Sequence, residues 1–329
     1  MIKIKGDVSD MKKVFLLLIL GIVTTLSLMA EGQNESVYPS KTIDIVVPSK
    51  AGGSTDALAR IFVQVAQKYL PDAEFAVVNK PGSGGQQGFE YIAAAKPDGY
   101  TLGLIFTVQL PSHIVSGRAR YVLDDFHFLN QILEDPSIIV VPKDSPVNSL
   151  EELVSYTKAN EMTASVNGIG SDDHLALMLF QSATGVEFSV IPASGSSEQK
   201  ATVMGGHVDV AFMNISQMIS QHQNGEVKIL AILGDNKDAR AMDIPTIGEV
   251  GYDRVKMSGT RGFVIQKDAP ADVKNVLEKL MSDVTSDPEF AETLEKSNQS
   301  FVYKDGPSYA IFMDNLQKEM ESLYAKEPW

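Results

Sequence analysis

Short apolar runs alternate with segments of helical periodicity along nearly all of the chain after residue 40. The runs predict strands at residues 43–47, 75–78, 102–106, 138–141, 163–166, 188–191, 208–212 and 229–233. After the first run, Leu58, Ile61 and Phe62 fall on one helical face, and Pro71 ends the pattern. This alternation predicts an α/β fold with mostly parallel sheets that are flanked by helices.

The chain from Pro270 onward reads as amphipathic helices, which would cover a sheet built earlier in the sequence. A length of 329 residues suggests one large or two medium domains, yet no linker rich in proline and glycine divides the chain. A chain that crosses between two domains more than once would account for the missing linker.

Residues 1–30 have the pattern of a secretory signal peptide. The stretch MKKVFLLLILGIVTTLSLMAEG, which begins at Met11, places two lysines before an apolar run and small residues after it. An uncleaved membrane anchor is the alternative, although the run is slightly short for a spanning helix. We therefore expect an exported protein, in the periplasm or elsewhere outside the cytoplasm.

Composition argues against several kinds of site. The chain has no cysteine, which excludes disulfides and zinc–thiolate centres. Its formal net charge of −14, without a long basic stretch, argues against nucleic-acid binding. No stretch matches the Walker loop or the G-x-G-x-x-G fingerprint, and the histidines and paired aspartates lack metal-ligand spacing. We therefore expect no nucleotide, metal or other cofactor.

Two similar loops each follow a predicted strand and open a predicted helix: SKAGGSTD at residues 49–56 and NGIGSDDH at residues 167–174. Ligands of open α/β sheets bind at the carboxyl ends of strands, and free N–H groups at helix N-termini attract anions. Two such loops that face each other would clamp a carboxylate through backbone groups. Plain helix capping is the alternative for either loop alone.

A Ser/His hydrolase is a second possible function, because Ser171 and His174 lie three residues apart. No G-x-S-x-G nucleophile elbow is present, however. A capping role for Ser171, with Asp172 and Asp173 at the positive end of the helix, is the favoured interpretation. We therefore expect a protein that is not an enzyme.

Five stretches, taken in order, resemble the extracytoplasmic solute-binding receptors of the tripartite tricarboxylate transporter family, also called Bug receptors. They are YPSKTIDIVVPSKAGGSTDALAR, NKPGSGGQQGFEYIAAAKPDGYTL, VNGIGSDDHLALMLF, VIPASGSSEQKATVMGGHVDVAF and LAILGDNKDARAMDIPTIGEVGYD. The resemblance implies a two-lobed, flytrap-like periplasmic-binding-protein fold of type II character. It places lobe 1 at residues 37–136 plus 243–329 and lobe 2 at residues 137–242.

The resemblance also implies a function. The receptor would capture a small organic carboxylate, such as a di- or tricarboxylate, in the cleft between the lobes. It would then deliver this ligand to the membrane permease subunits of a tripartite tricarboxylate transporter, and it would work as a monomer. A receptor that presents the ligand to a histidine-kinase signalling system is the alternative, because it would use the same cleft residues.

Carried over onto this chain, the family's ligand-binding residues fall on the two loops and on the ends of neighbouring strands. They are Lys50, Gly52, Gly53, Ser54, Asp56, Ser83, Gly84, Thr107, Asn167, Gly168, Gly170, Ser171, His174, Ala193, Ser194 and Asn214.

Three positions put parts of this transfer in question. Lys50 lies in a Ser-Lys-Ala stretch where the family usually has prolines, and it either contacts a ligand carboxylate or points into water. The family often has a tryptophan near residues 257–261, where this chain has Arg261 nearby instead. Asp56 would repel an anion unless it serves as a helix-end partner or faces an ammonium group.

Overall fold

The computed structural model describes residues 38–297, 299–326 and 328–329, so the predicted signal peptide lies outside the described residues. The chain divides into two units at Ser40, and the second, Lys41–Trp329, is compact. The second unit contains the strands and helices that follow.

Within the described residues the strands form one mixed sheet, with parallel and antiparallel pairs. They are β1 (Ile43–Val47), β2 (Phe75–Asn79), β3 (Thr101–Phe106), β4 (Phe126–Pro142), β5 (Thr163–Val166), β6 (Ser189–Pro192), β7 (Val210–Asn214), β8 (Val227–Ile232), β9 (Ser258–Gln266) and β10 (Phe301–Asp305). Each of the eight predicted runs overlaps one of these strands, which confirms that part of the prediction.

The helices lie between the strands and after β9. They are α1 (Ser54–Tyr69), α2 (Gln86–Ala93), α3 (Gln109–Val115), α4 (Leu150–Thr157), α5 (Asp172–Thr184), α6 (Ser196–Met204), α7 (Ile215–Gln223), α8 (Ala271–Ser286), α9 (Pro288–Lys296) and α10 (Gly306–Tyr324). None of the helices among the described residues is long and apolar enough to cross a membrane.

The long strand β4 organises the sheet. The strand order is β2-β1-β3-β9-β4-β7-β5-β6, and β10 and β8 also pair with β4. Pairing with β9 extends along β4 as far as Pro136, and pairing with β7 begins at Ser137. β1 is parallel to β2 and β3, and β5 is parallel to β6 and β7, as predicted. The antiparallel pairs all involve β4 or β9.

β9, β10 and the first half of β4 were not predicted from the sequence. In β4 the register with β9 shifts between Phe128 and Asn130 and again between Gln131 and Leu133. Such bulges interrupt the alternation of apolar and polar residues by which a strand is recognised. In β9 an arginine and two glycines weaken the apolar signal.

The helices predicted after Pro270 are present, and α10 covers parts of both halves of the sheet. Tyr309 and Met313, near its start, pack with Phe89 and Phe126. Met320, near its end, lies in another core cluster with Leu175 of α5. The C-terminal helix therefore buries apolar surface against elements from two distant parts of the sequence.

Candidate functional site

The first predicted loop, residues 49–56, connects β1 to α1 at the carboxyl end of β1. Gly52 has φ of +81°, a conformation that favours glycine. Gly52, Gly53 and Ser54 are exposed. Lys50 is exposed as well, and its carbonyl oxygen accepts a hydrogen bond from Gly53 N at 3.4 Å. The loop thus presents its backbone at the edge of the sheet where ligands of α/β proteins bind.

Asp56 holds this loop from behind. Its carboxylate accepts hydrogen bonds from Gly52 N at 2.9 Å, from Asn79 Nδ2 at 3.1 Å and from the Arg60 guanidinium at 3.0 and 3.1 Å. The bond from Arg60 lowers the pKa of Asp56 to about 2, and the bonds from Gly52 and Asn79 lower it as well. With 3% of its surface exposed, Asp56 has the geometry of a helix-end partner.

We expect Asp56→Asn to lower the free energy of unfolding by about 1–2 kcal/mol at pH 7, because the variant loses the charge that Arg60 stabilises. The expected effect is no larger because Arg60 is largely exposed and its attraction is screened. A carboxyl whose pKa is depressed in the folded state stabilises it above the unfolded pKa. The difference from wild type should therefore disappear as the pH falls from about 4 to about 2. Urea unfolding at a series of pH values measures this, and a difference that does not change with pH would contradict the role of the charge.

The first turn of α1 has no side-chain cap, because Gly53 occupies the N-cap position. The hydroxyl oxygens of Ser54 and Thr55 instead accept hydrogen bonds from the guanidinium of Arg261, at 3.1 and 3.2 Å. Backbone N–H groups at such an end carry partial positive charge. Arg261 was noted in the sequence only as a departure from the family pattern, yet it contacts the first loop directly.

The second predicted loop, residues 167–174, connects β5 to α5. Ser171 is its N-cap: its Oγ accepts from His174 N at 3.2 Å and donates to Gly168 O at 2.8 Å. The ring Nδ1 of His174 accepts from Gly170 N at 3.3 Å. Ser171 and His174 are thus joined through a backbone N–H and not through the imidazole, which is unlike a catalytic dyad. Burial lowers the pKa of His174, which favours a neutral ring.

Asp173 lies behind the second loop. Its Oδ2 accepts a hydrogen bond from Asn167 N at 3.1 Å. Its Oδ1 and the Oε1 of the neighbouring Gln199 are buried, and neither atom has a hydrogen-bond partner within the described residues. Burial raises the pKa of Asp173 well above its usual value, and the charge of Asp172 adds to the rise. The hydrogen bond from Asn167 and the nearby side chain of Gln199 oppose this rise, so burial is the cause that favours the neutral carboxyl.

We expect Asp173→Asn to raise the free energy of unfolding by about 1 kcal/mol at pH 7. The asparagine keeps an acceptor for Asn167 N and removes the cost of burying a charge beside Asp172. Because the folded pKa is raised, the wild-type protein loses stability as the pH rises above the unfolded pKa of about 4. The advantage of the variant should therefore grow from pH 4 to pH 7 in thermal unfolding, and a variant less stable at both pH values would show that the carboxylate is needed ionised.

A polar network links the second loop to the start of α6, the end of β7 and the first turn of α7. Asn167 Nδ2 donates to Ser196 Oγ at 3.1 Å, and Gln217 Nε2 donates to the same oxygen at 3.3 Å and to Asn214 Oδ1 at 3.2 Å. Asn214 Nδ2 in turn donates to Asp172 Oδ2 at 2.8 Å. The predicted residues Asn167 and Asn214 are therefore connected through Ser196 and Gln217, which were not predicted.

Ala193 and Ser194 lie between β6 and α6. Ala193 is buried, and its N donates to Val166 O at 2.8 Å. Ser194 is exposed, and its backbone N and its hydroxyl both donate to the carboxylate of Glu198. Its hydroxyl is therefore occupied by a contact within its own segment.

The remaining predicted residues lie near β2 and β3. Ser83 and Gly84 form an exposed 3₁₀ turn before α2. A Cβ on Gly84 would lie 3.5 Å from Nε2 of His113. Thr107, directly after β3, is buried, and its Oγ1 accepts from Thr260 N at 2.7 Å. Thr107 therefore connects β3 to β9 with its side chain.

Trp329, the single tryptophan of the chain, adjoins the second loop. Its Nε1 donates to Ser112 Oγ at 3.2 Å, and a Cβ on Gly170 would lie 2.9 Å from its ring. Its indole also meets the His174 ring edge-on, with centroids 6.3 Å apart. No sequence signal connects Trp329 to residues more than 150 positions earlier, so its place beside the second loop was not predicted.

The pattern of the tripartite tricarboxylate transporter family receptors matches residues 58–326 of this chain. The chain belongs to that family. BugT of Bordetella pertussis is 30% identical over 243 residues, which cover 72% of this chain and 74% of BugT. A protein of Cupriavidus necator, described as the UPF0065 protein in the gbd 5'region, is 29% identical over 294 residues, or 88% of each chain.

Solved structures share the fold of this receptor. A TctC solute-binding protein from Polaromonas has a TM-score of 0.78 and 29% identity, covering 88% of this chain and 99% of its own. MatC from Rhodopseudomonas palustris, with bound malate, has a TM-score of 0.74 and 22% identity over 87% and 99% of the two chains. Another protein of R. palustris, with adipate, has a TM-score of 0.73 and 22% identity, covering 88% of this chain and 97% of its own. The receptor therefore has the periplasmic-binding-protein fold.

Two cavities of this receptor lie away from the loops. One of about 660 Å³ lies beside the middle of β4 and is lined by Glu134, Arg240 and Lys304 among others. The other, of about 560 Å³, is lined by Asp44 and Tyr100 among others. Neither includes any of the sixteen predicted ligand-binding residues. Within the described residues, no group of three or more His, Cys, Asp or Glu side chains is placed to hold a metal ion.

Proposed function

We propose that this receptor captures a small organic carboxylate, a di- or tricarboxylate or a related acid, in a cleft between two lobes. It delivers that ligand to the membrane permease subunits of a tripartite tricarboxylate transporter. Lobe 1 comprises residues 37–136 plus 243–329, and lobe 2 comprises residues 137–242. The change of partner strand along β4 between Pro136 and Ser137 supports this boundary.

The observation that carries the proposal is that residues of β9 contact both predicted loops. A Cβ on Gly259 would lie 3.0 Å from Asp172 Oδ2, at the start of α5. Two residues further along β9, Arg261 donates to Ser54 and Thr55, at the start of α1. The two glycine-containing loops therefore flank one short stretch of strand, which suits a ligand held between them.

Proteins of the same fold support the class of ligand. One holds malate and another adipate, and both of these ligands are dicarboxylates. The family match supports delivery to a transporter in preference to a signalling partner. We further propose that residues 1–30 direct export, that the receptor acts outside the cytoplasm as a monomer, and that it carries out no chemistry on its ligand.

A thermal-shift panel of organic acids tests the proposed function. The panel contains mono-, di- and tricarboxylates together with amino acids. An acid present at about 100 times its dissociation constant should stabilise the protein by roughly 2.7 kcal/mol. Gly52→Ala should reduce this shift, whereas Gly117→Ala, another exposed-loop glycine with positive φ and open space around it, should not. A panel without any shift would overturn the proposed function.

Trp329 offers a direct optical readout of binding. Because its indole contacts Ser112 and Gly170, we expect an acid that shifts the melting temperature to change the tryptophan emission as well, with saturation at one ligand per chain. Trp329→Phe should abolish the optical signal. An emission spectrum that stays constant while calorimetry reports binding would show that the ligand lies away from the second loop.

A further inference from the structure

Arg261 lies at the end of the sheet from which both predicted loops emerge, near the carboxyl ends of β1 and β5. In the register of β3 and β9 it is opposite Phe106, the last residue of β3. Its neighbour on the same face of β9, Phe263, packs on Phe62 of α1 with ring centroids 4.3 Å apart. The side chain of Arg261 therefore extends along the α1 face of the sheet and reaches the first turn of that helix.

The same face of β9 also meets the start of α5. Gly259, two residues before Arg261, contacts the region of Asp172 and Asn214, because a Cβ there would lie 3.0 and 3.3 Å from their side chains. Residues two apart on a strand are separated by roughly 6.5–7 Å. The guanidinium is thus placed between the two loops.

The charge of Arg261 is not matched by a direct ion pair within the described part of the chain. Its hydrogen bonds go to the uncharged hydroxyls of Ser54 and Thr55. Burial raises the pKa of Asp135 and Asp172, and the positive charge of Arg261 opposes that rise from a distance. Each of these carboxyls has its own hydrogen-bond donor, Ser216 for Asp135 and Asn214 for Asp172.

We propose that Arg261 binds one carboxylate of a dicarboxylate ligand and thereby selects diacids over monoacids. This rests on the proposed function and names a residue that sets its specificity. A guanidinium is planar and can donate two parallel hydrogen bonds to one carboxylate. Held by Ser54 and Thr55, it is oriented before the ligand arrives, which reduces the entropy lost on binding. The second carboxylate is left for the loop after β5.

The test compares symmetric diacids with their monoamides. Succinate, glutarate, adipate and the three monoamides are titrated into the full chain by calorimetry. For wild type we expect the best diacid to bind about 10- to 100-fold more tightly than its monoamide. Arg261→Gln should weaken diacid binding by a similar factor and leave monoamide binding within about threefold, so that the preference collapses. Arg254→Gln, which removes an exposed arginine outside the site, should keep the preference.

The outcomes distinguish a failure of the role proposed for Arg261 from a failure of the proposed carboxylate-receptor function. If Arg261→Gln weakens the diacid and the monoamide equally, the arginine only supports the fold and the proposal is overturned. If that variant does not fold, Arg261→Lys decides, because a lysine keeps the charge but loses the paired donors and should reduce the preference at least about threefold. An unchanged preference overturns the proposal. A wild type that binds monoacids but no diacid overturns it as well, whereas one that binds no carboxylate at all overturns the proposed function.

Discussion

Gly53→Val should weaken ligand binding by about 100-fold, whereas Lys50→Ala should change it by no more than about threefold. Gly53 has φ of −80° and ψ of 170°, which is an extended conformation that valine adopts readily, so the fold should tolerate the change. A Cβ there would lie 3.4 Å from Lys50 O, in ordinary contact. The valine methyl groups would instead crowd the uncapped first turn of α1, where we place the carboxylate.

This comparison separates backbone recognition from side-chain charge. Calorimetry with the acid that binds best in the panel gives both affinities, and thermal unfolding without ligand checks that each variant is folded. Equal losses in the two variants would mean that Lys50, and not the backbone at Gly53, anchors the ligand. A loss confined to Lys50→Ala would contradict the loop mechanism altogether.

Gly262→Ala should destabilise the fold by about 3 kcal/mol or more. A Cβ at this position would lie 2.1 Å from the carbonyl oxygen of Asn130 and 2.5 Å from Cε1 of Tyr309. The oxygen belongs to the adjacent strand β4, so no rotation of a side chain relieves the clash. β9 would have to move away from β4, and with it Arg261 and Gly259.

Gly117→Ala is the matched control for this variant. Gly117 has φ of +67° but no heavy atom within 4 Å of a Cβ, so only the backbone conformation opposes the alanine, at about 1 kcal/mol. Urea unfolding of both variants gives the comparison. Similar free energies of unfolding for the two would show that the close contact between β9 and β4 is not tight enough to constrain the site.

Local sequence patterns were sufficient to predict the first loop. The apolar run before it, its glycines and the helical period after it all depend on neighbouring residues, and these features recur in β1 and α1 as expected. The capping role of Ser171, favoured over a dyad with His174, could also be predicted, because the cap bond spans only three residues. The shared composition of the two loops was sufficient to pair them, and the resemblance to the family then added ligand-binding residues outside the loops, such as Thr107 and Asn214.

The residues that were missed act through contacts far apart in the sequence. Arg261 reaches Ser54 and Thr55 across more than 200 positions, and Trp329 reaches Ser112 across a similar distance. Periodicity and spacing describe only neighbours along the chain, so they contain no information on such pairs. The arginine and the two glycines of β9 weakened the apolar signal of the strand that brings Arg261 to the loops.

Titration of residues 31–329 with a dicarboxylate and with its uncharged diamide at neutral pH tests the carboxylate-receptor function most directly. We expect the acid to bind at one site per chain and the diamide at least about 100-fold more weakly, because the proposed cleft offers backbone N–H groups and Arg261 to a charged oxygen. Equal affinity for the acid and the diamide, or no binding of any carboxylate, would contradict it.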